Sequence, residues 1–218
     1  MPQANIFIVD DHMLVRNGLR QLIEGEPDLS VCNEASSIAE TLQLIGQTKP
    51  DLVIIDLSLP DGNGLKLIER LLARQPQLAI LVSSMHDESL FAVRALKAGA
   101  KGYINKSATG DELLAAINQV LDGKKFISAQ VTENLILNND AEVSPRPEQS
   151  PVNQLSNREL EVFEFIGRGM GTGDIARTLN LSIKTIESHR ANIKKKLGLI
   201  TSGDLIRSAI QWSLDSNL

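Results

Sequence analysis

From residue 1 to about 137 the chain alternates short apolar runs, rich in β-branched residues, with longer stretches in which apolar side chains recur every three or four positions. The runs are Asn5–Val9, Leu29–Glu34, Leu52–Ile55, Leu78–Ser83 and Gly102–Asn105; the helical stretches lie near 12–24, 36–47, 64–74, 87–98 and 109–122. Strands alternating with helices in this way predict an α/β domain built on a parallel sheet. Runs such as LVII and AILV carry no polar alternation, so helices should cover both faces of that sheet. A helical period continues over 129–137 and gives way to NNDAEVSPRPEQSPVN, residues 138–153, where Pro145, Pro147 and Pro151 and the scarcity of apolar residues describe a linker. From Gln154 to Leu218 no strand-like run remains. Helical periods broken at Gly167–Gly173, Leu181–Ser182 and Gly198–Ser202 predict a small domain of four helices, with Thr172 and Ser182 as caps of the second and third.

Composition narrows the class. At 218 residues, 42% hydrophobic and 22% charged, the chain has material for two ordinary domains with proper cores, and a wholly disordered or low-complexity chain is excluded. The single Cys32, in LSVCNEA, rules out an internal disulfide framework and a multi-cysteine zinc site; it reads as an apolar filler in a strand and points to a reducing, cytoplasmic setting. No apolar run approaches the roughly 18 residues of a membrane span, and acidic residues follow MPQANIFIV too soon for a secretory signal, so no membrane association is expected. The net charge of -5 at first argues against a nucleic-acid binder, but it is unevenly spread. Residues 1–137 hold 17 acids and 12 bases, the linker 3 and 1, and residues 154–218 hold 7 and 9.

In an open parallel sheet, ligands bind beyond the carboxyl ends of the strands. There the first run ends in Asp10 and Asp11, the third in Asp56, the fourth in Ser83 and Ser84, and Lys106 follows the fifth. A lone strand-end Asp is ordinarily a helix cap or a loop residue, so the weight lies in the coincidence. Crowded carboxylates need a cation, and an all-oxygen set suits Mg²⁺, which would leave positions for a phosphoryl group. Asp56, followed by the turn-forming SLPDGNG that should leave it accessible, is the candidate nucleophile for an acyl phosphate. His12 and His86 lie near the same end but lack the spaced companions of a metal-binding histidine.

VDDH, IIDLSLPDGNG, LVSSMHDE and GYINKS together resemble the receiver domain of two-component response regulators, over residues 1 to about 125. The resemblance implies a flavodoxin-like (βα)5 fold of strand order 2-1-3-4-5. It implies Asp56 as phosphoacceptor, a Mg²⁺ site from Asp10, Asp11, Asp56 and the backbone carbonyl of Ser58, a switch hydroxyl at Ser84, a compensating ammonium at Lys106 and an aromatic switch at Tyr103. The only enzymatic chemistry it implies is Mg-dependent self-phosphotransfer and autodephosphorylation.

In TGDIARTLNLSIKTIESHRANIKKKLGL, Ile183, Ile186, Ile193 and Leu197 form one stripe, opposite Lys184, Ser188, Ala191 and Lys195 and flanked by Glu187 and Asn192. Residues 182–196 hold five bases and one acid, an excess suited to phosphates. From Leu155 the segment resembles the helix-turn-helix domain of the NarL/FixJ (LuxR-type) regulators. That implies base-edge contacts by Lys184, Glu187, Ser188, Ala191 and Asn192, and phosphate or groove-rim contacts by Lys184, Thr185, His189, Arg190, Lys194 and Lys195. The expected organisation is a receiver over 1–125, a connecting helix and linker over 126–153, and a helix-turn-helix domain over 154–218, whose last helix, carrying Leu205, Ile206, Ile210 and Trp212, is apolar enough to pack on this domain and provide a dimer surface. The expected partners are a sensor histidine kinase, double-stranded DNA, a second copy of the chain when phosphorylated, and RNA polymerase. Two other classes compete: an aspartyl phosphotransferase or phosphatase, against which stands Leu57-Ser58 after Asp56 in place of a DxD pair, and a ligand-sensing or phosphorylation-independent DNA binder with an inactive receiver.

Overall fold

The computed structural model describes residues 3–86, 88–128, 131–132 and 151–216. Of the helix expected over 129–137 only residues 131–132 are described, and they are helical; the expected linker 138–153 lies outside the described residues as far as residue 150. The chain divides into two compact units, Met1–Asn139 and Asp140–Leu218.

The first unit runs β1 (Ala4–Val9), α1 (Met13–Glu24), β2 (Leu29–Ala35), α2 (Ile38–Thr48), β3 (Leu52–Ile55), the two-residue strands β4 (Ser58–Leu59) and β5 (Gly62–Asn63), α3 (Gly64–Arg74), β6 (Ala79–Ser84), α4 (Glu88–Lys97), β7 (Gly102–Asn105) and α5 (Gly110–Leu121). The main sheet is parallel, in the order β2-β1-β3-β6-β7, which is the 2-1-3-4-5 flavodoxin-like pattern once the small hairpin is set aside. Alternation along β1 and β3 sends Ile6, Ile8, Leu52 and Ile54 into the layer formed with Leu19 and Ile23 of α1 and Ala116, Ile117 and Val120 of α5. Phe7, Val9, Val53 and Ile55 point to the other face and are equally buried, which is why these strands read as unbroken apolar runs.

The β4/β5 hairpin was not legible as such. SLPDGNG reads as an open turn, but Asp61 and Asn63 are committed to capping. The Asp61 carboxylate accepts from the amides of Ile38 and Ala39, both at 2.8 Å, at the start of α2, and Asn63 accepts from Leu65 N at 2.8 Å at the start of α3.

The described part of the second unit opens with a 3-10 turn, Pro151–Gln154, whose Val152 is buried. Four helices follow: α6 (Asn157–Gly167), α7 (Thr172–Thr178), α8 (Ile183–Leu197) and α9 (Ser202–Ser216). Ser156 and Glu159 form a capping box at α6. Thr172 is not a cap. The N-cap of α7 is Gly171, with no side-chain bond. The glycine-rich entry has a local cause at Gly169: its φ of 81° and the bonds Gly169 N to Ile166 O and Met170 N to Phe165 O, both 3.0 Å, close α6 in a left-handed turn that glycine adopts at no steric cost. Core residues Leu160, Phe163, Ile175, Ile186, Ile193, Leu205 and Ala209 are buried, and Trp212 meets Phe163 with ring centroids 5.3 Å apart.

Candidate functional site

β1 and β3 are neighbours at the centre of the sheet, and their outgoing connections leave in opposite directions, so a crevice opens at their carboxyl ends. Asp10 follows β1 and Asp56 follows β3, and Asp56 N donates to Val9 O at 2.8 Å. Lys106 follows β7, its amide bonded to Ser84 O at 2.9 Å. Gly64 keeps the first turn of α3 against this backbone, since a Cβ there would stand 2.4 Å from the Asp56 carbonyl oxygen.

These three side chains converge. Lys106 Nζ lies 2.6 Å from Asp10 Oδ2 and 2.7 Å from Asp56 Oδ2. Asp56 is only 3% exposed and Asp10 1%, so the accessible carboxylate expected after β3 is in fact buried, with the Lys106 ammonium bonded to it. Burial pushes the Asp56 carboxyl above its ordinary value and the Asp10 charge adds to this, while Lys106 pulls the other way. Burial alone would lower Lys106, but the attraction of Asp56 and Asp10 outweighs it and holds the ammonium protonated.

Ligand atoms of Asp10, Asp11, His12 and Asp56 all lie within 4.8 Å of one another. Three carboxylates face the single charge of Lys106, so the set has room electrostatically for a hard cation, and its oxygen donors are those Mg²⁺ takes. His12 Nδ1 stands 2.7 Å from Asp11 Oδ1 and its ring is largely exposed, a place at the rim of the cluster. Ser58 is held over the crevice through its amide, which donates to Asp56 Oδ1 at 3.3 Å.

Ser84 and Tyr103, expected as a switch pair, meet on His86. The His86 amide donates to Ser84 Oγ at 3.3 Å, and Tyr103 OH donates to the His86 carbonyl at 2.9 Å. The His86 ring stacks on Phe91 at 4.5 Å and bonds through Nε2 to Ser58 Oγ at 2.9 Å. Sequence reasoning placed His86 near the site without this role. A signal was present: Ser58 is two residues past Asp56 and His86 two past Ser84, and β3 and β6 are adjacent.

In the second unit Ser182 caps α8 by accepting from Thr185 N at 3.1 Å. Ile186 and Ile193 are fully buried, whereas Ile183, expected in the same stripe, is 56% exposed because it precedes the stretch of α8 that packs on the other helices. Lys184, Glu187, Ser188, Ala191, Asn192 and Lys195 form the exposed face; Thr185, His189, Arg190 and Lys194 are half-buried at its edges. Burial, aided by the Arg158 charge, lowers the His189 pKa. Lys196 is drawn away from this face into an ion pair with Glu159 at 2.6 Å.

Two family models match the chain: "Response regulator receiver domain" over residues 6–118 and "Bacterial regulatory proteins, luxR family" over 153–209. Among similar proteins, the oxygen regulatory protein NreC of Staphylococcus carnosus (strain TM300) is 34% identical over 213 residues, covering 96% of this chain and 98% of that protein. RcsB from Salmonella enterica serovar Typhimurium, solved bound to promoter rprA with the phosphomimetic BeF3-, is 26% identical with a TM-score of 0.61, covering 94% of this chain and 97% of that one. A structure of two RcsB dimers bound to two parallel DNAs has a TM-score of 0.57 at 27% identity, covering 99% of this chain and 100% of that one.

Proposed function

Given that this chain belongs to the response regulators that join a receiver domain to a LuxR-type DNA-binding domain, we propose that a sensor histidine kinase phosphorylates Asp56 and that the phosphoryl group controls dimeric binding to paired DNA half-sites. The observation that carries this reading is the Lys106 ammonium shared between the buried Asp10 and Asp56 carboxylates. An Asp56 oxygen attacks phosphorus, the bond from phosphorus to the donor's nitrogen breaks, and an acyl phosphate forms. Asp10, Asp11, Asp56 and the Ser58 carbonyl would hold Mg²⁺, which would supply charge neutralisation for the oxygens of the transferred group. Burial makes the Asp56 carboxylate more basic than a free one, which favours attack, and the Lys106 ammonium opposes its protonation. The Ser84 hydroxyl then donates to a phosphoryl oxygen, which draws it from the His86 amide and loosens the Tyr103 bond to the same residue.

On DNA, α8 enters the major groove. Lys184, Glu187, Ser188, Ala191 and Asn192 face base edges, and Lys184, Thr185, Arg190, Lys194 and Lys195 contact phosphates at the rim. His189, half-buried at the edge of this face, contributes hydrogen bonding there. Ile206, Ile210 and Leu214, spaced by one helical turn each, stay 41%, 41% and 60% exposed on α9 and favour it as the dimer surface. The bound dimer acts on transcription through RNA polymerase.

The test is Mg²⁺-dependent incorporation of phosphoryl from acetyl phosphate, followed by a salt titration of DNA binding. Wild type is expected to be labelled and Asp56→Asn to fall to background, and labelled protein to bind DNA more tightly, with affinity dropping steeply as salt rises. A wild type that takes up no phosphoryl yet binds DNA would favour the phosphorylation-independent regulator.

A further inference from the structure

The chain leaves the sheet of the first unit along the β7 edge. After α5 a left-handed Gly123, with φ of 78°, turns the backbone, and Phe126 forms a parallel bridge with Gly102. Phe126 N donates to Lys101 O at 3.0 Å, and Tyr103 N donates to Phe126 O at 2.9 Å. Gly102 permits the approach: a Cβ there would lie 2.9 Å from Leu81, 3.0 Å from Val120 and 3.1 Å from Phe126. Two residues on, Ser128 N donates to Glu88 Oε1 at 2.9 Å, and Val131 beyond it is buried.

Both holds begin at groups tied to the phosphorylation crevice. Tyr103 bonds the His86 carbonyl through its side chain and Phe126 through its amide. Glu88 sits in the first turn of α4, at the end of the segment from Ser84 through His86, and the His86 ring stacks on Phe91 of the same helix. We propose that residues 126–128 are the read-out strand of the first unit, paired to β7 beside Tyr103 and pinned by Glu88, so that movement of Ser84, Tyr103 and the start of α4 changes the hold on the chain leading to the DNA-binding unit. The inference rests on phosphorylation at Asp56. It adds the element that receives the signal: a strand joined by backbone bonds, which is either paired or unpaired and so responds in two states.

Full-length protein is compared with and without beryllofluoride and Mg²⁺, by hydrogen exchange at the amides of Tyr103, Phe126 and Ser128 and by DNA affinity. Wild type is expected to change protection at these amides. Glu88→Ala, which removes the acceptor for Ser128, is expected to keep its phosphorylation rate but to reduce the ratio of DNA affinities between the two states by about fivefold or more. Glu88→Gln, which retains an acceptor oxygen, should keep most of that ratio. Unchanged exchange at the three amides in a wild type that does take up phosphoryl and respond in DNA binding overturns the read-out strand alone, and so does a Glu88→Ala protein with the wild-type ratio. A wild type that is never phosphorylated instead overturns the reading beneath it.

Discussion

The two units use charge in opposite ways. In the first, Asp10, Asp56 and Lys106 come from distant points of the sequence and meet with their charges removed from water, at 2.6 and 2.7 Å. In the second, Lys184 and Lys195 share one helix and stay in solvent. A buried charge is costly and so becomes reactive, since its protonation and partners are set by a few atoms. An exposed row of like charge is cheap to maintain and acts at a distance, through the counterions it displaces from a polyanion. Chemistry therefore belongs to the unit with the buried acidic cluster and adhesion to the basic helix of the other, whatever the whole-chain charge of -5 suggests.

The largest expected effect comes from breaking the buried set. Lys106→Met leaves the Asp10 and Asp56 carboxylates without their shared cation, a loss of about 3–5 kcal/mol of stability. Urea unfolding in chelator should show it, and adding Mg²⁺ should recover much of the loss in the variant and less in wild type. A variant as stable as wild type in chelator would mean that the buried charges are not interdependent.

Removing apolar volume from the inner face of α8 ranks next. Ile193→Ala opens a cavity in the second unit and should cost about 2–5 kcal/mol, with DNA affinity falling only through unfolding. On the outer face of the same helix, Lys195→Ala should leave stability within about 0.5 kcal/mol and reduce the salt slope of DNA binding by about one. Calorimetry of each variant beside its salt titration separates the two faces. Equal thermal losses from both would contradict the division of α8 into a structural and a binding side.

How much of this was legible follows from the same contrast. Strand-end carboxylates and the Lys106 ammonium could be placed from sequence because a parallel sheet fixes where strand ends go, and helical period alone separated Ile186 and Ile193 from Lys184 and Ser188. The burial of Asp56 was not legible, because the pattern places a strand end but not how closely the surrounding chain covers it. Ile183 failed for a local reason: a wheel assigns direction but not where along the helix the neighbours end. The β4/β5 hairpin and the bridge at Phe126 were hidden because each is made by side-chain caps or backbone bonds involving segments that carry no pattern of their own.

The smallest effect sharpens the comparison by its sign. In the second unit Glu159 is buried, which alone would raise its pKa, but the bonds from Lys196 and from the Ser156 amide and hydroxyl bring it below the ordinary 4.5. Its unfolded form then takes up protons first, so its contribution is complete above about pH 4.5 and is lost as pH falls through the lower folded value. Asp56 runs the other way. Its folded pKa lies above the ordinary 3.8, so the native state binds the proton first, and acidification from neutrality through the folded value relieves a cost of burial. The difference in stability between wild type and Glu159→Gln should therefore shrink as acid is added below pH 4.5, whereas in metal-free buffer the deficit of wild type against Asp56→Asn should shrink as pH falls toward 3.8. Urea midpoints taken across this range, with the two units resolved by the fluorescence of Trp212 in one and far-UV circular dichroism of the whole, would show the opposed trends; parallel slopes would mean that the two buried carboxylates are held in the same way.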